Sequence, residues 1–272
     1  MKLKLLSLTL LCVWFSCKND STQNTEENEV PKSTVKDLSF IMTKTYPHDP
    51  SSFTEGLLVH DGKFYESTAG TPELPQTRSL FGELNMNTGK IDPKVILDED
   101  KYFGEGISFL NGKVYQLTWQ SKIGFIYDAK SYKKLGEFTI PSEEGWGMTT
   151  DGKMLIMSDG TSKIKYLDPS DMQVKKVIDV TDDGYVLRNI NELEYVDGFI
   201  YANLWMTNTI VKIDPATGKV IGKLDLSPLA QDAKNQDRNS KEMNGIAWDP
   251  TTKKFYVTGK MWPTLYEIEI KE

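Results

Sequence analysis

The sequence predicts an all-β protein with one folded domain, a five-bladed β-propeller, and three observations support this fold class. One pattern of strand, tight turn and return strand occurs five times along the chain. The first residues of successive copies are 50, 41, 45 and 53 positions apart, a period typical of a repeated supersecondary unit. Residues 38–272 provide about 47 residues for each copy, enough for a four-stranded blade. The copies begin at Glu55, Glu105, Trp146, Asn191 and Asn244.

Each copy contains the signals of two hairpins. In four copies the first hairpin turns on Asp-Gly or Asn-Gly, pairs that supply the positive φ angles of a two-residue turn. A second hairpin follows, as in residues 80–90 and 210–218. Two hairpins make one four-stranded unit. The four predicted turns are Asp61-Gly62, Asn111-Gly112, Asp151-Gly152 and Asp197-Gly198.

The two ends of the domain are predicted to meet. Residues 38–46 read as a strand before the first copy, and residues 264–270 read as a strand after the fifth. We expect these strands to share a blade and close the ring, because closure leaves no exposed strand edge. The polar run 229–243 lacks strand patterning and is predicted to be a loop or a short helix.

The N-terminal segment has the features of a targeting sequence. Two lysines precede an apolar run, residues 5–15, which is too short to span a membrane but typical of a signal peptide. Cys17 follows a small residue at the end of this run and resembles a bacterial lipobox cysteine, which is lipidated. We therefore expect export and a lipid anchor on a bacterial cell membrane, facing the periplasm or the cell surface; an ordinary signal peptide is the alternative. The predicted divisions are a signal peptide at 1–17, a polar disordered tether at 18–37 and the propeller at 38–272.

Cysteine, histidine and charge exclude several classes of function. Cys12 and Cys17 both lie in the targeting segment, so the domain has no thiol nucleophile, disulfide or thiolate metal site. Only His48 and His60 remain, too few for a usual catalytic zinc site, and we expect both at the surface or in turns. The net charge of −7 without a basic cluster argues against nucleic acid as a partner.

Propeller symmetry brings equivalent positions of the repeats together around the central channel. The first residues of the five copies form one predicted ring, and residues four beyond the return strands form a second. Both should meet near one mouth, as a small aromatic pocket with acid/base and hydrogen-bonding groups. The alternatives are that the tryptophans pack between blades, that Asn191 caps its strand, and that Lys260 is a solvated strand end. The second ring comprises Ala69, Trp119, Asp159, Trp205 and Lys260.

Seven stretches, in order across residues 46–270, resemble the glutaminyl-peptide cyclotransferases of the plant and bacterial type. Each stretch alone is a weak signal, but seven in order over the whole domain are highly specific. This family is built as a five-bladed propeller. The stretches are His48-Asp49-Pro50 with Phe53-Thr54-Glu55-Gly56-Leu57, Tyr102-Phe103-Gly104-Glu105-Gly106, Gly124-Phe125-Ile126-Tyr127-Asp128, Gly145-Trp146-Gly147 with Thr150-Asp151-Gly152-Lys153, Ser158-Asp159-Gly160-Thr161, Asn191-Glu192-Leu193-Glu194-Tyr195, and Asn244-Gly245-Ile246-Ala247-Trp248-Asp249 with Val257-Thr258-Gly259-Lys260.

The resemblance implies an acyl transfer that converts an N-terminal glutamine of a peptide or protein to pyroglutamate and releases ammonia. The family's acid/base glutamate matches Glu105. Lys260 and Asn191 would stabilise the oxyanion as the γ-carbonyl becomes tetrahedral. The matching substrate-binding positions are Phe53, Glu55, Phe103, Trp119, Trp146 and Trp205.

The resemblance also sets expectations for cofactors and partners. The chemistry requires no cofactor and no metal, unlike that of the zinc-dependent animal enzymes with the same activity. The family's reported divalent cation in the central channel matches no motif here, and we expect it to be structural. We expect a monomer whose partners are a peptide or protein with N-terminal glutamine and, through lipidated Cys17, the membrane.

Two departures from the family bear on the site. Glu55 stands where many members carry glutamine, and a second carboxylate close to Glu105 would raise its pKa. The segment 71–78 replaces the family's usual Gly/Ser-rich loop and would change peptide preference.

Two other functions are the alternatives. A non-catalytic propeller that binds a ligand or protein is the first, and the presence of Glu105 with Lys260 argues against it. A glycosidase using Glu55, Glu105 and Asp159 is the second, and the family resemblance argues against it.

Overall fold

The structure, a computed structural model, describes Ser33 and residues 35–272, and nearly all of its regular elements are β-strands. The first strand, β1 (Lys36–Pro47), begins two residues before the predicted start of the propeller at residue 38. The predicted signal peptide and lipidated cysteine, and the tether apart from residues 33 and 35–37, lie outside the described residues. The all-β prediction is confirmed.

Three four-stranded antiparallel sheets follow one another along the chain, each built from consecutive strands. They correspond to the first three predicted copies. The first contains β2 (Thr54–His60), β3 (Lys63–Thr68), β4 (Leu80–Leu84) and β5 (Ile91–Ile96). The second contains β6 (Gly104–Leu110), β7 (Lys113–Thr118), β8 (Ile123–Asp128) and β9 (Lys134–Thr139). The third contains β10 (Met148–Thr150), β11 (Leu155–Met157), β12 (Lys163–Leu167) and β13 (Val174–Asp179).

The last two copies share one eight-stranded sheet, and a short hairpin of β14 (Thr181–Asp182) and β15 (Tyr185–Val186) precedes them. β1 joins the two halves: it pairs antiparallel with the last strand and parallel, through residues 36–38, with the fourth strand of the other half. The predicted pairing of the chain ends is therefore confirmed. The halves are β16 (Ile190–Val196), β17 (Phe199–Leu204), β18 (Thr209–Ile213) and β19 (Val220–Asp225), and β20 (Met243–Asp249), β21 (Lys254–Gly259) and β22 (Thr264–Lys271) with β1.

One helix, α1 (Ser227–Gln236), lies between β19 and β20. It begins two residues before the predicted polar run and has a proline in its first turn, where the missing N–H costs nothing. Its buried residues Leu229 and Ala233 pack into the adjoining core. No helix of the described residues is long and apolar enough to cross a membrane.

Three of the four predicted turns are two-residue turns with positive φ at both positions, as at Asp61 (50°) and Gly62 (74°). The Asp151-Gly152 prediction is wrong in length, because the turn spans residues 151–154 and only Gly152 has positive φ. The Asp151 carboxylate accepts the backbone N–H groups of Lys153 and Met154, which stabilises the longer turn.

Five apolar clusters fill the spaces between neighbouring four-stranded units, one cluster for each junction. Tyr65 and Phe81 of the first unit pack with Phe109 and Phe125 of the second, and Leu57 of the first unit also packs with residues of the fifth. The first strands of the units contact each other in order, β2 with β6, β6 with β10, β10 with β16, β16 with β20, and β20 again with β2. Residues at the starts of these strands are thus neighbours.

Candidate active site

A cavity of ≈ 1090 Å³ opens where the first strands begin. Its lining is aromatic, with carboxylates, an amide and a lysine among the rings. All nine predicted catalytic and substrate-binding residues border it: Phe53, Glu55, Phe103, Glu105, Trp119, Trp146, Asn191, Trp205 and Lys260.

β-Bulges change the side-chain directions of four predicted ring residues, three of which border the cavity. The pairing of each of four first strands is irregular at its start, and the irregularity includes the first residue of the copy. A bulge re-aims a side chain that a regular strand would direct into the sheet packing. The residues in these bulges are Glu55, Glu105, Asn191 and Asn244.

The glycines that follow ring residues allow neighbouring first strands to approach closely. A Cβ atom on Gly106 would lie 2.5 Å from the backbone nitrogen of Met148, and one on Gly147 would lie 2.2 Å from the carbonyl oxygen of Asn191. The repeated glycine of the sequence pattern is therefore a packing requirement of the ring.

Glu55 and Lys260 form a buried ion pair at the base of the cavity. Lys260 Nζ donates to Glu55 Oε1 at 2.7 Å, and the two side chains are 8% and 2% exposed. Asn244 Nδ2 donates to Glu55 Oε2 at 3.2 Å, and the Lys260 ammonium lies 4.5 Å from the centre of the Phe53 ring. Burial raises the pKa of Glu55 to about 7, although the Lys260 ammonium acts in the opposite direction.

Glu105 is the other carboxyl group of the cavity interior, and it is 4% exposed. Burial and the nearby Glu55 carboxylate raise the pKa of Glu105 well above its ordinary value, while Lys260 opposes the shift and Glu144 adds to it. Among the described residues, Glu105 Oε2 and Asn191 Oδ1 have no hydrogen-bond partner. Such buried acceptors are costly unless a ligand supplies donors.

The aromatic side chains line the cavity in two contacting groups. Phe53 and Phe103 meet edge to face with ring centres 6.1 Å apart, and Phe103 contacts Trp119 at 5.5 Å. Trp146 and Trp205 also meet edge to face, at 5.6 Å. Trp119 and Trp205 are each 39% exposed, so they lie toward the mouth.

The mouth carries more acidic than basic side chains, and most of them are exposed. The acids outnumber the lysines, so the opening attracts cationic groups and repels anionic ones. The charged residues of the mouth are Glu73, Glu99, Asp100, Glu144 and Glu242, with Lys101 and Lys241.

Three members of the predicted rings do not border the cavity. Ala69 is fully buried, and Asn244 lies behind Glu55 and binds it. Asp159 is turned away because its carboxylate pairs with Lys165 and accepts a hydrogen bond from Ser142, in a neighbouring cleft. Equivalent repeat positions therefore place seven of the ten ring residues around the cavity and Asn244 behind it, but not Ala69 or Asp159.

The expectation that both histidines lie at the surface or in turns is wrong for His48. Its side chain is fully buried, Nε2 lies 3.1 Å from Glu66 Oε1, and Nδ1 lies 2.6 Å from the Trp262 carbonyl oxygen. Both ring nitrogens thus face acceptor oxygens, an arrangement that favours the charged ring. Burial disfavours that charge, but the Glu66 carboxylate raises the pKa of His48 above its ordinary value. His60 is partly exposed and stacks on Phe109.

Two further carboxylates, on β16, were not among the predicted site residues. They reach from β16 to the neighbouring first strands. Glu192 accepts the backbone N–H groups of Leu57 and Ile246, and Glu194 accepts that of Trp248. Burial raises the pKa of Glu194 to about 8 and that of Glu192 well above its ordinary value. The alternation of acidic and apolar residues on this strand was the available signal.

These carboxylates do not provide a ligand set for the expected channel cation. Both oxygens of Glu192 accept backbone N–H groups, and the second oxygen of Glu194 accepts the Thr149 hydroxyl. In the part of the chain that the structure describes, no three His, Cys, Asp or Glu side chains are grouped so that they could hold a metal ion.

Comparisons with known proteins agree on one family. The family model described as glutamine cyclotransferase matches residues 11–270. A glutaminyl-peptide cyclotransferase of Arabidopsis thaliana is 37% identical over 233 residues, which cover 84% of this chain and 70% of the plant protein. The crystal structure of Myxococcus xanthus glutaminyl cyclase is similar with a TM-score of 0.77 and 29% identity, over 87% of this chain and 98% of the bacterial one.

Proposed function

Because this chain belongs to the glutamine cyclotransferase family, we propose that its aromatic cavity holds an N-terminal glutamine and that Glu105 moves the protons of the reaction. The reaction of the family, and of this enzyme, is the conversion of N-terminal glutamine to pyroglutamate. The assignment of steps to residues rests on the geometry of the cavity.

One observation carries the assignment: two buried acceptors, Glu105 Oε2 and Asn191 Oδ1, border the same cavity and have no partner among the described residues. A glutamine at a chain terminus brings N–H donors on its α-amine and on its γ-carboxamide. We assign Glu105 to the amine and Asn191 to the carboxamide, because this pairing satisfies both acceptors.

Glu105 acts as base and then as acid. The α-nitrogen attacks the γ-carboxamide carbon, a C–N bond forms, and Glu105 accepts a proton from the amine. It returns that proton to the carboxamide nitrogen as the old C–N bond breaks and ammonia leaves. Burial and the Glu55 charge raise the pKa of Glu105, so its carboxylate is a stronger base toward the amine proton than an exposed carboxylate is. This role is worth roughly 10² to 10⁴ in rate.

Lys260 and Asn191 are the proposed oxyanion donors. Lys260 uses one N–H on Glu55, so its ammonium has further N–H groups for a developing negative charge. The indole N–H groups of Trp119 and Trp146 are not available, because both donate to Glu144. We therefore keep Lys260 and the Asn191 amide as the oxyanion donors and add to them only the Trp205 indole.

The aromatic side chains of the cavity position the substrate glutamine. Ring closure requires the glutamine side chain to fold back on its own amine, and rigid aromatic walls favour that conformer. Phe53, Phe103 and the tryptophans also exclude water, which disfavours simple deamidation.

We propose that the acyl transfer needs no metal and no other cofactor, since a carboxyl group, an amide and an ammonium suffice for the steps above. A structural cation in the channel remains a prediction for which the described residues offer no ligand set, and no step is assigned to it. We expect EDTA to leave the rate unchanged.

The test is mass spectrometry of a synthetic peptide with N-terminal glutamine after incubation with the purified protein. Loss of one ammonia that is insensitive to EDTA and abolished by Glu105→Gln supports the assignment. Glu137→Gln, which changes an exposed carboxylate on β9, is the matched control and should stay active. A folded wild-type protein that releases no ammonia from several glutamine peptides would instead indicate a binding protein.

We also propose that the five four-stranded units form a closed five-bladed propeller. The order of contacts among the first strands and the five apolar clusters at the junctions support this arrangement.

Export and anchoring are proposals that rest on the sequence. Residues 1–17 would direct export, lipidated Cys17 would hold the enzyme on the membrane, and residues 18–37 would tether a monomeric domain. Mass spectrometry of the N-terminal peptide from membrane and soluble fractions, with Cys17→Ser as the comparison, tests the anchor.

A further inference from the structure

The carboxylate of Glu144 lies between two indoles of the cavity wall. Trp119 Nε1 donates to Glu144 Oε2 at 3.0 Å, and Trp146 Nε1 donates to the same oxygen at 2.8 Å. Gln120 Nε2 donates to the other oxygen at 3.0 Å. The steps assigned above give this carboxylate no role.

The two tryptophans come from neighbouring units, and Glu144 lies in the segment that connects those units, between β9 and β10. The backbone N–H of Gly145 also donates to the Trp119 carbonyl oxygen at 3.0 Å. One side chain therefore joins two rings that flank different sheets, since Trp119 follows β7 and Trp146 precedes β10.

The hydrogen bonds that Glu144 accepts are strong because its carboxylate is ionised. Partial burial opposes ionisation, but hydrogen bonds from Gln120 and from the two indoles lower the pKa of Glu144 below its ordinary value. An ionised acceptor forms hydrogen bonds about twice as strong as those of a neutral one. An indole has a single N–H group. Each indole ring therefore prefers the one orientation in which this N–H points at Glu144 while Glu144 is charged.

We propose that Glu144 is a positioning residue, which holds Trp119 and Trp146 as walls that keep the substrate glutamine folded for ring closure. This role rests on the proposed function of the cavity. The terminal torsion of a tryptophan side chain is broad, and Trp119 is partly exposed, so the ring is free to rotate once its N–H partner is lost. A small misplacement of the reacting groups can lower the rate by up to about 10².

The first experiment compares Glu144→Gln with Glu143→Gln. Gln has the size of Glu and keeps one acceptor oxygen but loses the charge, and its amide nitrogen must face either the two indoles or the Gln120 amide, each of which is a donor. Glu143 is a neighbouring carboxylate that is exposed and pairs with Lys122 instead of an indole. We expect Glu144→Gln to lower kcat about tenfold and to change KM less than threefold, because loosened walls still admit the side chain but align it less often. Glu143→Gln should match the wild type.

Two readouts separate positioning from general loss of structure. The ¹⁵N–¹H indole resonances of Trp119 and Trp146 should shift in Glu144→Gln and not in Glu143→Gln. The pH profile of kcat/KM should also move to lower pH in Glu144→Gln, because the Glu144 charge helps to raise the pKa of Glu105. Neither change is expected from a residue that serves only to stabilise the loop.

A double-mutant cycle tests whether the effect of Glu144 acts through Trp119. In a Trp119→Phe background, which already lacks one of the two N–H donors, Glu144→Gln should lower kcat by less than it does alone. Equal losses in both backgrounds would overturn the proposal, as would wild-type kcat in Glu144→Gln. If the wild-type protein cyclises no glutamine peptide, the proposed function itself is overturned. A shift of the indole resonances would then show only that Glu144 orients the two rings, without a role in catalysis.

Discussion

Replacing Lys260 by methionine should make the stability of the protein more sensitive to pH above neutrality. Lys260 is the cation nearest to Glu55, whose pKa of about 7 already lies above its ordinary value because of burial. A carboxyl group with a raised folded-state pKa stabilises the fold fully below its unfolded-state value of about 4.3 and loses that contribution as pH rises through the folded-state value. Without the ammonium, the pKa of Glu55 rises further.

The magnitude follows from linkage. In the wild type, the loss from Glu55 is nearly complete slightly above pH 7, whereas in Lys260→Met it continues at about 1.4 kcal/mol for each pH unit. The loss in the variant ends where its own higher Glu55 pKa is reached, so its free energy of unfolding should fall behind that of the wild type by an additional amount of at most about 3 kcal/mol between pH 7 and pH 9. For a domain of this size that upper value corresponds to about 6–12 °C in Tm. Glu105, which Lys260 also stabilises as a carboxylate, acts in the same direction.

The assay is thermal unfolding followed by circular dichroism at pH 6, 7, 8 and 9. The control is Lys212→Met, since Lys212 is also buried but pairs with Glu272, whose pKa lies below its ordinary value. Glu272 is ionised throughout this range, so the control difference should not change with pH. A Tm difference between Lys260→Met and wild type that stays constant from pH 6 to pH 9 would refute the reasoning. Adding Glu55→Gln to Lys260→Met should remove the part of the pH dependence that comes from Glu55.

Three further predictions concern the fold and the mouth of the cavity. His48→Gln should lower the free energy of unfolding most at pH 6 and less as pH rises through the raised pKa of His48, because the ion pair with Glu66 contributes only while the ring is charged; urea unfolding at several pH values measures this. Gly147→Ala should lower the free energy of unfolding by about 1–3 kcal/mol, because the new Cβ would lie 2.2 Å from the Asn191 carbonyl oxygen. Gly136→Ala is the control: a Cβ there would have no atom within 4 Å, so this variant should be nearly neutral in the same unfolding assay. Peptides with lysine after the N-terminal glutamine should have a higher kcat/KM than those with glutamate, and the ratio should fall as salt is added; an equal ratio at low salt contradicts a role for the acidic mouth.

Repetition made much of this protein predictable from its sequence. The spacing of Asp-Gly and Asn-Gly turns indicated hairpins in units of about 47 residues, and the structure has four-stranded units in that order. Pseudo-symmetry then indicated that Glu55, Glu105 and Asn191 meet, because the starts of equivalent strands lie side by side. The repeated glycine was the local signal of this close approach, since no larger residue fits between the strands at Gly106 or Gly147.

Side-chain partners that come from outside the repeat were not predictable. Asp159 occupies a ring position in the sequence, but Lys165 and Ser142 draw its carboxylate into another cleft. His48 looks like a turn residue, yet its partner oxygen on Trp262 lies 214 positions further along the chain. Such contacts depend on which side chains meet after the units close.

The sequence by itself determined the all-β class, the repeated unit and the set of residues around the cavity, because these follow from periodicity and from matched motifs. Only the tertiary structure decided which of these residues pair with each other, which carboxyl groups have raised pKa values and which N–H groups are free to bind a substrate. The pairing of Lys260 with Glu55, the raised pKa of Glu105 and the use of two indole N–H groups by Glu144 all depend on distances of a few ångströms in a buried site. At low dielectric such distances govern charge, and no spacing along the chain encodes them.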